Sequence, residues 1–240
     1  MIVLFSDFGP AGPYTGQMMA ALVSTAPGHP VIELMVDVPA HDVEAAAHLL
    51  AAYHGEFPPD SVFLCVVDPG VGSEAREPII LHADGQWFVG PGNGLFDVVA
   101  ARCDHVEAWR VTWRPERLST SFHGRDLFAP VAAMIACGDF PQAERFEFVP
   151  RVECGRDSCR VIYIDHFGNL LTGLRASSTD PEQAVEFKGQ RIPRVRTFSD
   201  VPTGQPLCYE NSSGLIEVAV NCGRADIFFK ASIGDKLNIV

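Results

Sequence analysis

Short apolar runs, each cut off by a sharp polar turn, alternate with longer mixed stretches up to about Pro150. Met1 to Phe5 is apolar and stops at Ser6-Asp7-Phe8-Gly9, which predicts a strand and then a turn. Val31 to Val36, Ser61 to Val67, Pro78 to His82, Trp87 to Val89 and Val106 to Val111 read as further strands. Tyr14 to Ala26 has small and apolar residues on one face, and Asp42 opens the alanine-rich stretch Val43 to Tyr53; both predict helices. Further helices are predicted from about Leu95 and over Gly124 to Cys137, where Pro130 is tolerable only near the start or at a kink. Strands alternating with helices imply a mainly parallel sheet with flanking helices.

After Pro150 the pattern changes. Arg160 to Asp165, Asn169 to Leu174, Ala184 to Phe187, Gln190 to Pro193, Pro206 to Glu210, Leu215 to Val220 and Asp226 to Phe229 read as short β segments between Gly, Asn, Asp and Pro turns. No convincing helical period appears there, so a small antiparallel β-barrel is expected. With Phe146 to Glu153 as linker, the chain divides into an N-terminal α/β domain, 1–148, and a C-terminal β-barrel domain, 149–240.

Composition narrows the function. The 240 residues are 47% hydrophobic and 20% charged, in keeping with a globular protein that has a full-sized core. A net charge of −12 argues against nucleic acid or an anionic membrane surface as partner, and would not hinder a cationic ligand. MIVLFSDFG has no basic or long apolar segment of the export type, and no run approaches a membrane span. Seven scattered cysteines, an odd number without a CxxC, point to reduced thiols and a cytoplasmic setting, although Cys154 and Cys159 could bridge in principle. The eight histidines form no HxxxH or HxxE pairing with spaced cysteines, so no metal is expected.

The candidate chemistry lies in four turns at predicted strand ends. They are Ser6 to Gly9, Asp68-Pro69-Gly70-Val71-Gly72, Gly90-Pro91-Gly92-Asn93-Gly94 and Ser119 to Asp126. In an open α/β sheet ligands bind at the C-terminal strand edge, which puts the Asp68 carboxylate at the place of interest, with Arg76 eight residues further along the same loop. A plain Asp-Pro-Gly turn with a solvated arginine is the other reading. Neither GxxxxGK[ST] nor a complete dinucleotide-binding glycine pattern occurs, so nucleoside triphosphate and NAD are not supported. Asp7 could hold a ribose diol or cap a helix. His123 sits beside Phe122 among Arg125, Asp126 and two upstream hydroxyls, a polar setting for a histidine. Asp165-His166-Phe167-Gly168-Asn169 and Glu210 to Gly214 are hairpin turns that could also bind: an Asn amide both donates and accepts, and Phe122 and Phe167 could enclose a flat ring.

Read in order, SDFG, VVDPGVG with a following Arg, VGPGNGL, STSFHGRDLFAP, IDHFGN and ENSSGLIEVAVN span the chain. Together they resemble the S-adenosyl-L-methionine hydrolases (adenosine-forming), relatives of the fluorinase and chlorinase enzymes. The resemblance implies an N-terminal α/β domain, a C-terminal β-barrel, and a homotrimer whose sites lie between the N-terminal domain of one subunit and the C-terminal domain of its neighbour. It implies S-adenosyl-L-methionine as substrate and no cofactor. Residue by residue, it implies that Asp68, Arg76 and His123 activate a water, that Asp7 holds the ribose, and that Phe122 and Phe167 pack on adenosine. It further implies that Asn169 contacts adenine, that Asp165 holds the methionine ammonium, and that Ser212 holds the methionine carboxylate.

The resemblance has departures. Gly12 stands where the family usually has an acidic residue, Ser213 where the fluorinase carries an arginine, and His123-Gly124 where it has a tyrosine and its halide-contacting serine. The long insertion associated with the fluorinase is also missing. These differences favour water over halide as nucleophile. A halogenase remains the alternative within the fold. Outside that chemistry stand a non-catalytic S-adenosylmethionine or adenosine-binding module, which would not need Asp68, Arg76 and His123 together, and a methyltransferase, which would need room for an acceptor.

Overall fold

The computed structural model describes residues 1–73, 76–151 and 156–240. Its contacts gather into two compact units, Met1–Gly155 and Arg156–Val240. The last linker residue, Glu153, and Cys154, with any bridge from it to Cys159, lie outside the described residues.

The first unit runs β1 (Ile2–Ser6), α1 (Tyr14–Thr25), β2 (Val31–Met35), α2 (Val43–Tyr53), β3 (Val62–Val66), β4 (Pro78–Ala83), β5 (Gln86–Pro91), α3 (Asp97–Arg102), β6 (Val106–Val111), α4 (Ala129–Ala136) and β7 (Ala143–Phe146). The strands form one sheet in the order β2-β1-β3-β5-β4-β6-β7. β2, β1, β3 and β5 pair in parallel, while the β5–β4, β4–β6 and β6–β7 pairs are antiparallel. Among the described residues only β4 and β7 therefore oppose the common direction. β1 and β3 are buried along their whole length, as their unbroken apolar sequences require of strands covered on both faces. The Asp84-Gly85 loop between β4 and β5 has φ of 44° and 85°, the pair of positive values that closes a two-residue hairpin with the right twist.

Helix positions follow from caps and alanines. Asp42 caps α2 by accepting from the Ala45 N–H at 2.9 Å, and the alanine face behind it is buried. The expected helix over Gly124 to Cys137 is two pieces: a π-helical turn, Gly124–Phe128, continues into α4. Pro130 lies in the first turn of α4, where its missing N–H costs nothing. Ile2, Leu4, Met18, Leu64, Phe128 and Val131 belong to the apolar core on this face of the sheet.

The second unit contains β8 (Ser158–Ile164), β9 (Leu170–Arg175), β10 (Val185–Phe187), β11 (Gln190–Ile192), β12 (Pro206–Glu210), β13 (Leu215–Val220), α5 (Ala225–Phe229) and β14 (Leu237–Ile239). They make two antiparallel sheets, β12-β13-β9-β8 and β11-β10-β14. Isolated bridges, Arg160 to Lys236 and Arg194 to Cys208, tie the two together. The segment Asp226 to Phe229, expected as β, is helical. Ala225 and Phe229, four residues apart, both turn toward the core, and five residues are too few for that period to stand out. β7 was not anticipated because it is a sheet-edge strand with exposed Glu144 and Arg145 and no apolar alternation. Among the described residues no helix is long and apolar enough to cross a membrane.

Candidate active site

The chain leaves β1 through α1 to β2 on one side, then returns through α2 to β3 on the other. Such a reversal opens a crevice at the C-terminal strand ends. Ser6 is in register with Val66, so Asp7 and Asp68 emerge next to each other from the ends of β1 and β3. A pocket of about 340 Å³ lies there, with Asp7, Asp68, Phe122 and His123 in its wall.

Asp7 is not a helix cap, since α1 begins at Tyr14 after Pro13. Its Oδ2 instead accepts from the His41 backbone N–H at 2.9 Å, in a turn where His41 has φ of 63°. The Asp7 side chain is 8% exposed and the His41 side chain 78%, so the carboxylate is sheltered while the imidazole stands at the pocket rim.

Asp68 and Arg76 form a buried ion pair, their side chains 5% and 6% exposed. Arg76 Nη2 also lies 3.4 Å from His123 Nδ1, and its guanidinium stands 5.7 Å from the Phe128 ring centroid. An arginine has only donors, so His123 Nδ1 is assigned as the acceptor and Nε2 as the protonated nitrogen. Asp68 Oδ1 is buried with no hydrogen-bond partner among the described residues. Burial pushes the Asp68 carboxyl above its usual value; Arg76 works against this, and the charge of Asp7 adds to it. Burial, then Arg76 and Arg114, hold the His123 imidazole below its usual value, with Asp126 opposing. His123 is therefore neutral at neutral pH.

Three contacts lock this loop. Gly72 has φ of 82°, and a Cβ there would stand 2.6 Å from the Thr120 carbonyl oxygen, so only glycine lets the Asp68 loop press against the segment leading to His123. Asn93 Nδ2 donates to the Val67 carbonyl at 2.9 Å, which pins the backbone just before Asp68. Thus the Gly90 to Gly94 turn supports the Asp68 loop. Asp126 accepts from the Ser119 N–H at 2.9 Å and pairs with Arg125, whose guanidinium covers the Phe122 ring at 5.1 Å. Phe8 and Tyr14 meet Phe122 at centroid distances of 5.7 and 5.3 Å, making an aromatic wall.

Residues 2–145 match the family model described as the SAM hydroxide adenosyltransferase N-terminal domain, and residues 159–238 match the corresponding C-terminal domain. The chain belongs to the SAM hydroxide adenosyltransferase family. It is 36% identical to an (R)-S-adenosyl-L-methionine hydrolase of Thermus thermophilus, with 93% of each chain covered. Similarity to a fluorinase of Actinoplanes is lower, 27% identity over 92% of this chain and 91% of the relative. The crystal structure of an uncharacterized conserved protein from Thermotoga maritima superposes with a TM-score of 0.88 at 30% identity, over 100% of both chains.

In this SAM hydroxide adenosyltransferase chain the remaining candidates lie in the second unit. Asp165 and Asn169 close the turn between β8 and β9: Asp165 Oδ1 accepts from the Asn169 N–H at 2.8 Å and Oδ2 from Asn169 Nδ2 at 3.1 Å. Phe167 projects from that turn, 71% exposed. Arg224, paired with Asp226, donates to the His166 carbonyl at 2.9 Å and braces the same turn. Ser212 is exposed on the turn between β12 and β13, which Asn211 Oδ1 shapes by accepting from the Ser213 and Leu215 N–H groups at 3.0 Å each.

The structure thus gathers Asp7, Asp68, Arg76, Phe122 and His123 in one unit, and Asp165, Phe167, Asn169 and Ser212 on two neighbouring turns of the other. Sequence reasoning passed over Phe8, Tyr14 and His41, which line the pocket. Phe8 and Tyr14 flank Asp7 in a loop already singled out, a usable signal; His41 carries none, because its place at the rim depends on the turn before α2.

Proposed function

We propose that this protein hydrolyses S-adenosyl-L-methionine to adenosine and L-methionine, by in-line attack of an activated water on the ribose 5′ carbon. The observation that carries this reading is the buried Asp68–Arg76–His123 contact at the end of β3, in the same pocket as Asp7. The substrate is a sulfonium cation, so methionine departs neutral and its departure needs neither a general acid nor a Lewis acid. The catalyst must supply an oriented, partly desolvated oxygen nucleophile in line with the carbon–sulfur bond. Asp68 Oδ1 can accept from that water, neutral His123 can complete its hydrogen bonding, and Arg76 holds the carboxylate and favours hydroxide character.

The binding roles follow the same logic. The Asp7 carboxylate accepts from the ribose hydroxyls, Phe122 and Phe167 pack on the adenine, and Asn169 reads its edge. Asp165 pairs with the methionine ammonium and Ser212 donates to its carboxylate. In this reading no cofactor takes part. The chain works as a homotrimer in which the N-terminal unit of one subunit and the C-terminal unit of a neighbour complete each site. The six cysteines free among the described residues support a reducing, cytoplasmic setting.

The test is chromatography of S-adenosyl-L-methionine, supplied in both sulfonium configurations, after incubation in water enriched in heavy oxygen with chloride present. Labelled adenosine together with methionine is the expected outcome. 5′-Chloro-5′-deoxyadenosine would make the protein a halogenase, and unchanged substrate that co-elutes with the protein would leave a binding module.

A further inference from the structure

Glu217 is a buried carboxylate that none of these roles uses. It is 5% exposed, on a strand whose other residues are buried and apolar. Burying a carboxylate is costly unless donors meet it, and here they converge. The Tyr209 hydroxyl donates to Oε1, Asn211 Nδ2 donates to Oε2 at 2.9 Å, and the Asn169 amide hydrogen-bonds to it as well. Burial pushes its carboxyl above the usual value, the three donors oppose the shift, and the charge of Asp165 adds to it. Two of the donors shape neighbouring turns. Asn211 builds the turn that carries Ser212, and Asn169 closes the turn that carries Phe167.

We propose that Glu217 is a positioning residue for substrate, which ties these two turns together and draws the Asn169 amide N–H groups inward between itself and Asp165. The carbonyl oxygen of Asn169 is then the group left for a ligand. It accepts a hydrogen bond from an exocyclic amino group, as on adenine, and has no donor for the oxygen of a 6-oxo purine. Glu217 thereby sets base selectivity without touching the base. This inference rests on the proposed reading of Asn169 as the adenine contact.

Adenosine and inosine titrated into the purified wild-type protein and E217Q test it. Gln keeps the side-chain size but puts an amide opposite the Asn169 and Asn211 amides, so the Asn169 orientation is no longer enforced. Adenosine affinity is expected to fall about tenfold with inosine affinity unchanged, and KM for S-adenosylmethionine to rise about tenfold with kcat within about twofold, since Asp68, Arg76 and His123 are untouched. Glu217→Asp, which withdraws the oxygens by one methylene, gives the same loss of discrimination should E217Q not fold. An adenosine-to-inosine ratio unchanged in both variants would overturn the proposal. So would equal losses for both nucleosides accompanied by a lower melting temperature, the mark of a merely structural role. A wild-type protein that binds adenosine but does not turn over S-adenosylmethionine would remove the hydrolase reading alone. One that binds no nucleoside would overturn both.

Discussion

Asp68 and Arg76, eight residues apart on one loop, meet in an ion pair that is almost wholly removed from solvent. Breaking a buried pair from one side strands the other charge, typically at about 3–5 kcal/mol. Arg76→Ala is therefore expected to lose stability of that order in urea denaturation. A loss below about 1 kcal/mol would mean that water reaches the pair after all.

Asp68→Asn keeps the shape and removes the charge. Turnover is expected to fall by about 10²–10⁴-fold, the usual contribution of a positioned base, with adenosine affinity nearly unchanged in calorimetry. Retained full activity would remove Asp68 from the chemistry.

Asp7→Ala acts on binding instead. It takes away the acceptor of the His41 N–H and the proposed ribose contact, so adenosine affinity should drop about 10–100-fold. An unchanged dissociation constant would place the ribose elsewhere.

The pH dependence has a definite sign. His123 is held below the usual imidazole value of about 6.5, so it stays neutral as pH falls from 8 through about 6.5. Its stability contribution is present above the unfolded value and is lost as pH drops below it toward the folded one. Asp68 is raised above the usual carboxylate value of about 3.9, so it protonates earlier than a free carboxylate on acidification. The acid limb of kcat/KM is accordingly expected between about 3.9 and about 6.5. A limb centred above that window would assign the titration to another group.

Gly72→Ala places a methyl group against the backbone oxygen of Thr120, which no side-chain rotation relieves, at a φ that alanine rarely adopts. The Asp68 loop must then shift, and displacement of about 1 Å at a reacting group can cost about 100-fold in rate. Kinetics of the variant should show a large fall in kcat. Wild-type kcat would show that the loop tolerates the movement.

Shared sites make a mixing experiment decisive. Asp68→Asn disables the N-terminal part and Phe167→Ala weakens the C-terminal part. Refolding the two variants together should recover part of the wild-type activity if each site draws on two subunits. No recovery, or full activity in diluted monomers, would contradict that assembly.

Much of this was legible in residue order alone. The buried strands β1 and β3 announce themselves as apolar runs, and the turns after them, bearing Asp7 and Asp68, as breaks in those runs, because burial and turn chemistry are local demands on residue type. The six ordered motifs carried the family. What depended on tertiary structure were the relationships between segments. The register of Ser6 with Val66 puts two carboxylates in one crevice, and Arg76 reaches both Asp68 and His123 only because Gly72 allows two loops to touch. Arg76 could be a solvated loop residue or a buried partner until its loop is folded, since burial belongs to the fold rather than to the residue. The same holds for Glu217 and His41. A single Glu in an apolar strand and a single His before a helix carry no local signature, and their roles arise from neighbours distant in the chain.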